Sequence, residues 1–207
     1  MDQYDRDTLL HAHYATLSAF WESALERTGY CAILLSAGQQ RFFFHDDQGP
    51  AFRPNPLLVQ WLAQEKISEN SWFVFSQGAK PILLFHQPDD FWHAATVAPH
   101  QLEDHLTLEV FSDLPALHAA LGDHLQRIGG SEKEIAQISE DAPPTTANCV
   151  INPPNVIHAL HFQRACKTEY ELAIMRQASL RGAKGHNAAQ RAFNEGASEF
   201  AIHLAFL

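Results

Sequence analysis

Two places in this sequence set acidic, imidazole and aromatic side chains together where an ordered element gives way to a loop. One is His45-Asp46-Asp47, ahead of a stretch with prolines at 50, 54 and 56; the other is Asp89-Asp90-Phe91-Trp92-His93, just after an apolar run. A carboxylate at such a junction can take a cationic group of a ligand, and binding residues concentrate on loops held by a scaffold. The same acids can instead cap their own turn by accepting backbone N–H bonds. The aromatics can equally pack at a domain edge. On spacing alone both readings stay open.

Thirteen histidines raise the question of a metal. His11 and His13 are two apart on a helix-like stretch and point to different faces. His158 and His161 are three apart and can share a face, but no His-Glu-x-x-His pattern surrounds them. No Gly-x-Ser-x-Gly, Gly-x-x-x-x-Gly-Lys or Gly-x-Gly-x-x-Gly occurs, so a nucleophile elbow and a phosphate cradle have no support. Cys31, Cys149 and Cys166 are odd in number and form no Cys-x-x-Cys, as expected of reduced thiols in the cytoplasm.

The frame that must hold these residues is a chain of 207 residues with 46% apolar content and a net charge of −10. That acidity excludes a nucleic-acid backbone or an anionic membrane as main partner. Fourteen Phe and four Trp with 18% charged residues exclude disorder. No apolar run reaches the roughly 18 residues that span a bilayer.

Helical spacing of Leu9, Leu10, Tyr14, Leu17, Phe20, Trp21 and Leu25 predicts a helix over 7–28, stopped by Gly29. Strands are predicted at Tyr30–Leu35, Arg41–His45, Trp72–Ser76, Pro81–His86 and Leu106–Phe111, with a loop from Asp46 to Pro56. A helix is expected from Ser112 or Asp113 to about His124. The capping-box spacing of Ser131 and Glu134 predicts another, short helix. Helices follow at about Asn155–Arg164, from the box Thr168/Glu171 to about Phe193, and from Ser198 onward. Strands alternating with helices to about residue 150, then helices alone, make the class α/β. The last helix is apolar and stops without a cap, so the chain is expected to be truncated.

Phe44-His45-Asp46-Asp47, Phe52-Arg53-Pro54-Asn55-Pro56, Lys80-Pro81 and Pro88-Asp89-Asp90-Phe91-Trp92-His93 resemble the N-terminal domain of bacterial Xaa-Pro dipeptidases, the group that includes organophosphorus acid anhydrolases. Lys167–Arg176, Gly185-His186 and Ser198-Glu199-Phe200 resemble the helices that open the catalytic domain of that family. The resemblance implies a creatinase/prolidase-type N-terminal domain over 1–155, a mixed sheet flanked by helices. It implies that 156–207 form a linker and the first helices of a truncated pita-bread domain.

It further implies hydrolysis of dipeptides ending in proline by two divalent ions, typically Mn²⁺, which supply an activated hydroxide and polarise the scissile carbonyl. Their ligands, two Asp, one His and two Glu, would lie beyond this chain, so no catalytic or metal residue is assigned and the fragment is expected to bind no ion. The N-terminal domain would supply a homodimer contact and one wall of the partner's pocket. Asp47, which could receive a dipeptide's α-amino group, and Trp92, whose indole could close the pocket, match those positions. A cytoplasmic dimer is expected, with Tyr170, Ile174, Met175, Ala178 and Phe193 forming a helix face in need of cover.

Overall fold

The computed structural model describes residues 3–63, 65–89, 91, 96–129, 133–140, 145–146 and 148–207. Trp92, with Asp90 and His93, therefore lies outside the described residues, as do Ser131 and Glu132. The chain forms two compact units: one takes the residues up to His13 together with Lys167–Leu207, the other Tyr14–Cys166.

The larger unit is built on a mixed sheet. Its strands among the described residues are β1 (Ala32–Ser36), β2 (Trp72–Ser76), β3 (Ile82–His86), β4 (Thr107–Phe111), β5 (Ile135–Ile138) and β6 (Cys149–Ile151). They lie in the order β4-β3-β2-β1-β5-β6. β2 runs antiparallel to both β1 and β3, while β3/β4, β1/β5 and β5/β6 are parallel. β1 is buried at every position, which explains its unbroken apolar run: helices cover both faces, so neither set of alternate side chains meets water.

Alternation sorts those side chains. On one face Ala32, Leu34, Trp72, Val74, Leu84 and Ile135 pack with Leu117, Leu121 and Leu125 of the helix α3 (Leu114–Gly129). On the other, Phe73 and Phe75 meet Trp21 of the long first helix, α1 (Gln3–Thr28), and Trp61 of the short helix α2 (Pro56–Trp61). Trp21 stands edge-on to Trp61, with ring centroids 5.3 Å apart. Tyr14 joins this layer, stacking on His105 and donating its hydroxyl to the Trp61 carbonyl at 2.7 Å. The helix α4 (Pro154–Ala165) completes the unit, burying Val156 and Leu160.

The smaller unit holds α5 (Glu169–Asn194) and α6 (Glu199–Phe206). The expected capping box is present: the Thr168 hydroxyl accepts from Glu171 N–H, and the Glu171 carboxylate accepts from Thr168 N–H. With one lone pair so engaged, the Thr168 hydroxyl proton is free to point at Nδ1 of buried His13, 2.8 Å away. His13 is thus a satisfied core histidine. Gly185 lets α6 approach α5, because a Cβ there would stand 2.8 Å from the Phe206 carbonyl oxygen. Among the described residues no helix is long and apolar enough to cross a membrane.

Two elements differ from expectation. Arg41–His45 is a loop and turn rather than a strand. The residues after the Ser131/Glu134 spacing form β5, inserted between β1 and β6, not a helix.

A preformed acidic loop as the candidate functional site

The segment between β1 and α2 carries Asp47, and its base is tied. Asn55 N–H donates to the Ala37 carbonyl at 3.1 Å, and Ala37 N–H donates to the Ser71 carbonyl at 2.9 Å. Gln40 N–H donates to the Glu69 carboxylate at 2.7 Å. The Gln40 side-chain amide then spans the neck of the loop, giving one bond to the Arg41 carbonyl (3.1 Å) and one to the Pro50 carbonyl (2.7 Å). Gly49 belongs to this neck: a Cβ would fall 1.9 Å from the Arg41 carbonyl oxygen, well inside van der Waals contact. Gly49→Ala should therefore force the neck open. The expected result is that amide exchange accelerates across 41–50 while the sheet's protection stays unchanged; equal protection throughout would show that the neck is not rigid.

Beyond the neck the chain folds into a turn. Phe43 N–H donates to the Gln48 carbonyl (2.8 Å) and Asp46 N–H to the Phe43 carbonyl (3.0 Å). His45 holds φ +55 at the turn's third position, a conformation that histidine tolerates better than most residues. The turn divides the two acids. Asp46 accepts from Gln48 N–H at 3.0 Å, so its carboxylate is spent on the turn. Asp47 is exposed, and among the described residues its carboxylate has no hydrogen-bond or ion-pair partner. The same turn displays Phe42, Phe43 and Phe44 at 63%, 59% and 90% exposure. The Phe44 ring stands edge-on to His45 at 4.1 Å. A rigid mount, a free carboxylate and three presented aromatics suit an anchor that is inserted into a pocket elsewhere.

The largely buried histidines of the larger unit, His86 and His124, have structural partners. The backbone N–H of buried His86 donates to the Ser71 hydroxyl oxygen (3.0 Å), and its ring nitrogen lies 3.3 Å from the Glu69 carbonyl. His124 meets Glu109 at 2.9 Å. His158 and His161 are both exposed. Among the described residues no three His, Cys, Asp or Glu side chains gather where an ion could be held, so those residues do not fit a metal centre.

Cys31 is not an activated nucleophile. Burial pushes the Cys31 thiol up from its ordinary range, and its S–H points at the Glu134 carbonyl, 3.3 Å away. Burial, then the Glu134 charge, raises the Tyr30 phenol. A raised thiol pKa leaves less thiolate at any given pH. Iodoacetamide should therefore label exposed Cys166 first, and the labelling profile of Cys31 should be displaced to higher pH than that of a free thiol; a coincident profile would contradict the burial effect.

Comparison with known proteins gives these features a context. The Xaa-Pro dipeptidase N-terminal domain family matches residues 8–162. Over all 207 residues the chain is 34% identical to an Xaa-Pro dipeptidase from Stenotrophomonas maltophilia (strain R551-3). It is 33% identical to one from Xanthomonas euvesicatoria pv. vesicatoria (strain 85-10). In both cases it spans 45% of the relative's length. Among solved structures, an aminopeptidase P from Bacillus anthracis superposes with a TM-score of 0.56 at 16% identity. That match covers 91% of this chain and 50% of the other, and it supports the creatinase/prolidase-type fold alone. With a tied acidic loop on a mixed sheet and three quarters of its length matched, the chain belongs to the Xaa-Pro dipeptidase N-terminal domain family.

Proposed function

We propose that this chain is the N-terminal portion of a cytoplasmic, metal-dependent Xaa-Pro dipeptidase that cleaves dipeptides ending in proline. Its part is to pair with a second copy and to lend one wall to the partner's substrate pocket. The observation that carries this is the division of labour in the turn: Asp46 holds the backbone while Asp47 is left to meet a ligand. A free α-ammonium is the complementary group, and a charge-assisted hydrogen bond to it orients the dipeptide. Phe42–Phe44 are the anchor that seats the loop in the partner, and Trp92 is the residue that closes the pocket. Two Mn²⁺ ions would supply the hydrolytic chemistry, held by ligands in the part of the relatives that this chain does not span.

The test is a glycylproline assay with Mn²⁺ on the 207 residues alone and on the protein read from its full open frame. No turnover from the former above a metal-only blank, with turnover from the latter, is the expected pair of results. Turnover by the 207 residues alone overturns the reading. A frame closing after codon 207 replaces it with a free-standing binding module.

A further inference from the structure

A second polar feature lies at the neck of the loop, away from the Asp47 carboxylate. β1 and β5 are neighbouring parallel strands, yet the chain leaves them in opposite directions. From β1 it passes through α2 to β2 on one side, and from β5 it goes to β6 on the other. In open α/β sheets the crevice outside the carboxyl ends of two such strands is where ligands bind. Here that crevice exists. It is a cleft of about 320 Å³ lined by Gln39, Gln40, Arg41 and the 50–53 stretch from the loop after β1, and by Glu140 from the segment after β5.

The lining is charged on both sides. Arg41 and Glu140 face each other across it, Nη2 to Oε1 at 3.1 Å. Both are more than half exposed, so a ligand can replace that pair at little cost. Arg53 adds a second guanidinium that has no partner among the described residues. Phe52 offers an aromatic surface, its ring 3.8 Å from where a Gly38 Cβ would stand. Two cations, one carboxylate and one ring complement a ligand that carries its own carboxylate, its own ammonium and an apolar body. The net charge of −10 disfavours a plain anion over an overall neutral zwitterion.

We propose that this cleft binds a free amino acid or dipeptide as the zwitterion, with the carboxylate on Arg53 and Arg41, the ammonium on Glu140 and the side chain on Phe52. The site is separate from the Asp47 carboxylate and does not rest on the peptidase reading, because its ligand follows from the cleft's own charges. The volume fits the low end of small-molecule sites, and the exposed walls point to a Kd on the order of 1 mM.

Titration of the ¹⁵N-labelled 207-residue chain with glycyl-L-proline tests this, followed by amide shifts. N-acetylglycylproline, glycylprolinamide and inorganic phosphate serve as comparison ligands. The expected result is saturable shifts confined to the residues around 39–41, 51–53 and 140. Each blocked dipeptide should bind at least about tenfold more weakly, as should the free dipeptide to Arg53→Ala or Glu140→Gln. Both variants change exposed side chains, and retained dispersion of the spectrum certifies the fold. Absence of shifts at about ten times the expected Kd, equal response to phosphate, or indifference to both substitutions each overturns the proposal. Binding by a chain that turns nothing over leaves it intact, so its failure and that of the dipeptidase reading are separable.

Discussion

Replacing Trp21 with alanine should destabilise the Tyr14–Cys166 unit by about 3–5 kcal/mol, the usual cost of deleting a large aromatic from a packed core. Trp21 is almost wholly buried and touches three other rings, Trp61, Phe73 and Phe75, at centroid separations of 5.3, 6.0 and 5.4 Å. All three contacts are edge-on or close to it, the geometry that adds quadrupole attraction to burial. No single neighbour can fill the void, because the rings around it come from a helix and a strand whose backbones are held by the sheet. Against a typical total of about 5–15 kcal/mol, such a loss is a large fraction of the whole.

Urea unfolding followed by far-ultraviolet circular dichroism reads the effect without relying on the deleted fluorophore; a loss under about 1 kcal/mol would show that the cluster is not the keystone of this face. Trp61→Phe is the informative companion. The Trp61 indole N–H is buried and has no acceptor among the described residues. Phenylalanine discards that unpaired donor, so it should cost less than half as much as Trp21→Ala.

The second large effect concerns activity. With the proposed contact between Asp47 and a substrate ammonium, Asp47→Asn in the protein read from its full open frame should lower kcat/KM on glycylproline by about 10- to 150-fold, the equivalent of the roughly 1.5–3 kcal/mol carried by a hydrogen bond between charged groups. Most of it should fall on KM, because the ammonium is held equally before and during bond cleavage. Asp46→Asn is the control: an asparagine oxygen can still accept from Gln48 N–H within the turn, so it should leave the loop in place and substrate binding less affected. An N-acetylated dipeptide has no ammonium to lose, and with it the Asp47 variant and the parent enzyme should coincide. A variant that loses activity equally on both substrates would assign Asp47 a structural part instead.

What could be read from the residues themselves was whatever depends on near neighbours. The Thr168/Glu171 box closes within four residues, so its atoms are committed before the rest of the chain arrives. Trp72–Ser76 announces itself because every residue in it suits a buried strand, and the mixed α/β frame follows from such runs in order. The family too was legible in short motifs, and the matched span agrees with it.

Tertiary structure decided the rest, because a strand is a strand only if an edge is there to receive it. Phe42–Phe44 is as apolar as Phe73–Phe75, yet it finds no edge and projects its rings from a turn. Ile135–Ile138 follows a helix-start signal, but parallel pairing with β1, about a hundred residues earlier, outweighs one cap. In the same way, two adjacent aspartates are chemically identical on paper. Only the position of the Gln48 N–H makes one a brace and leaves the other at liberty.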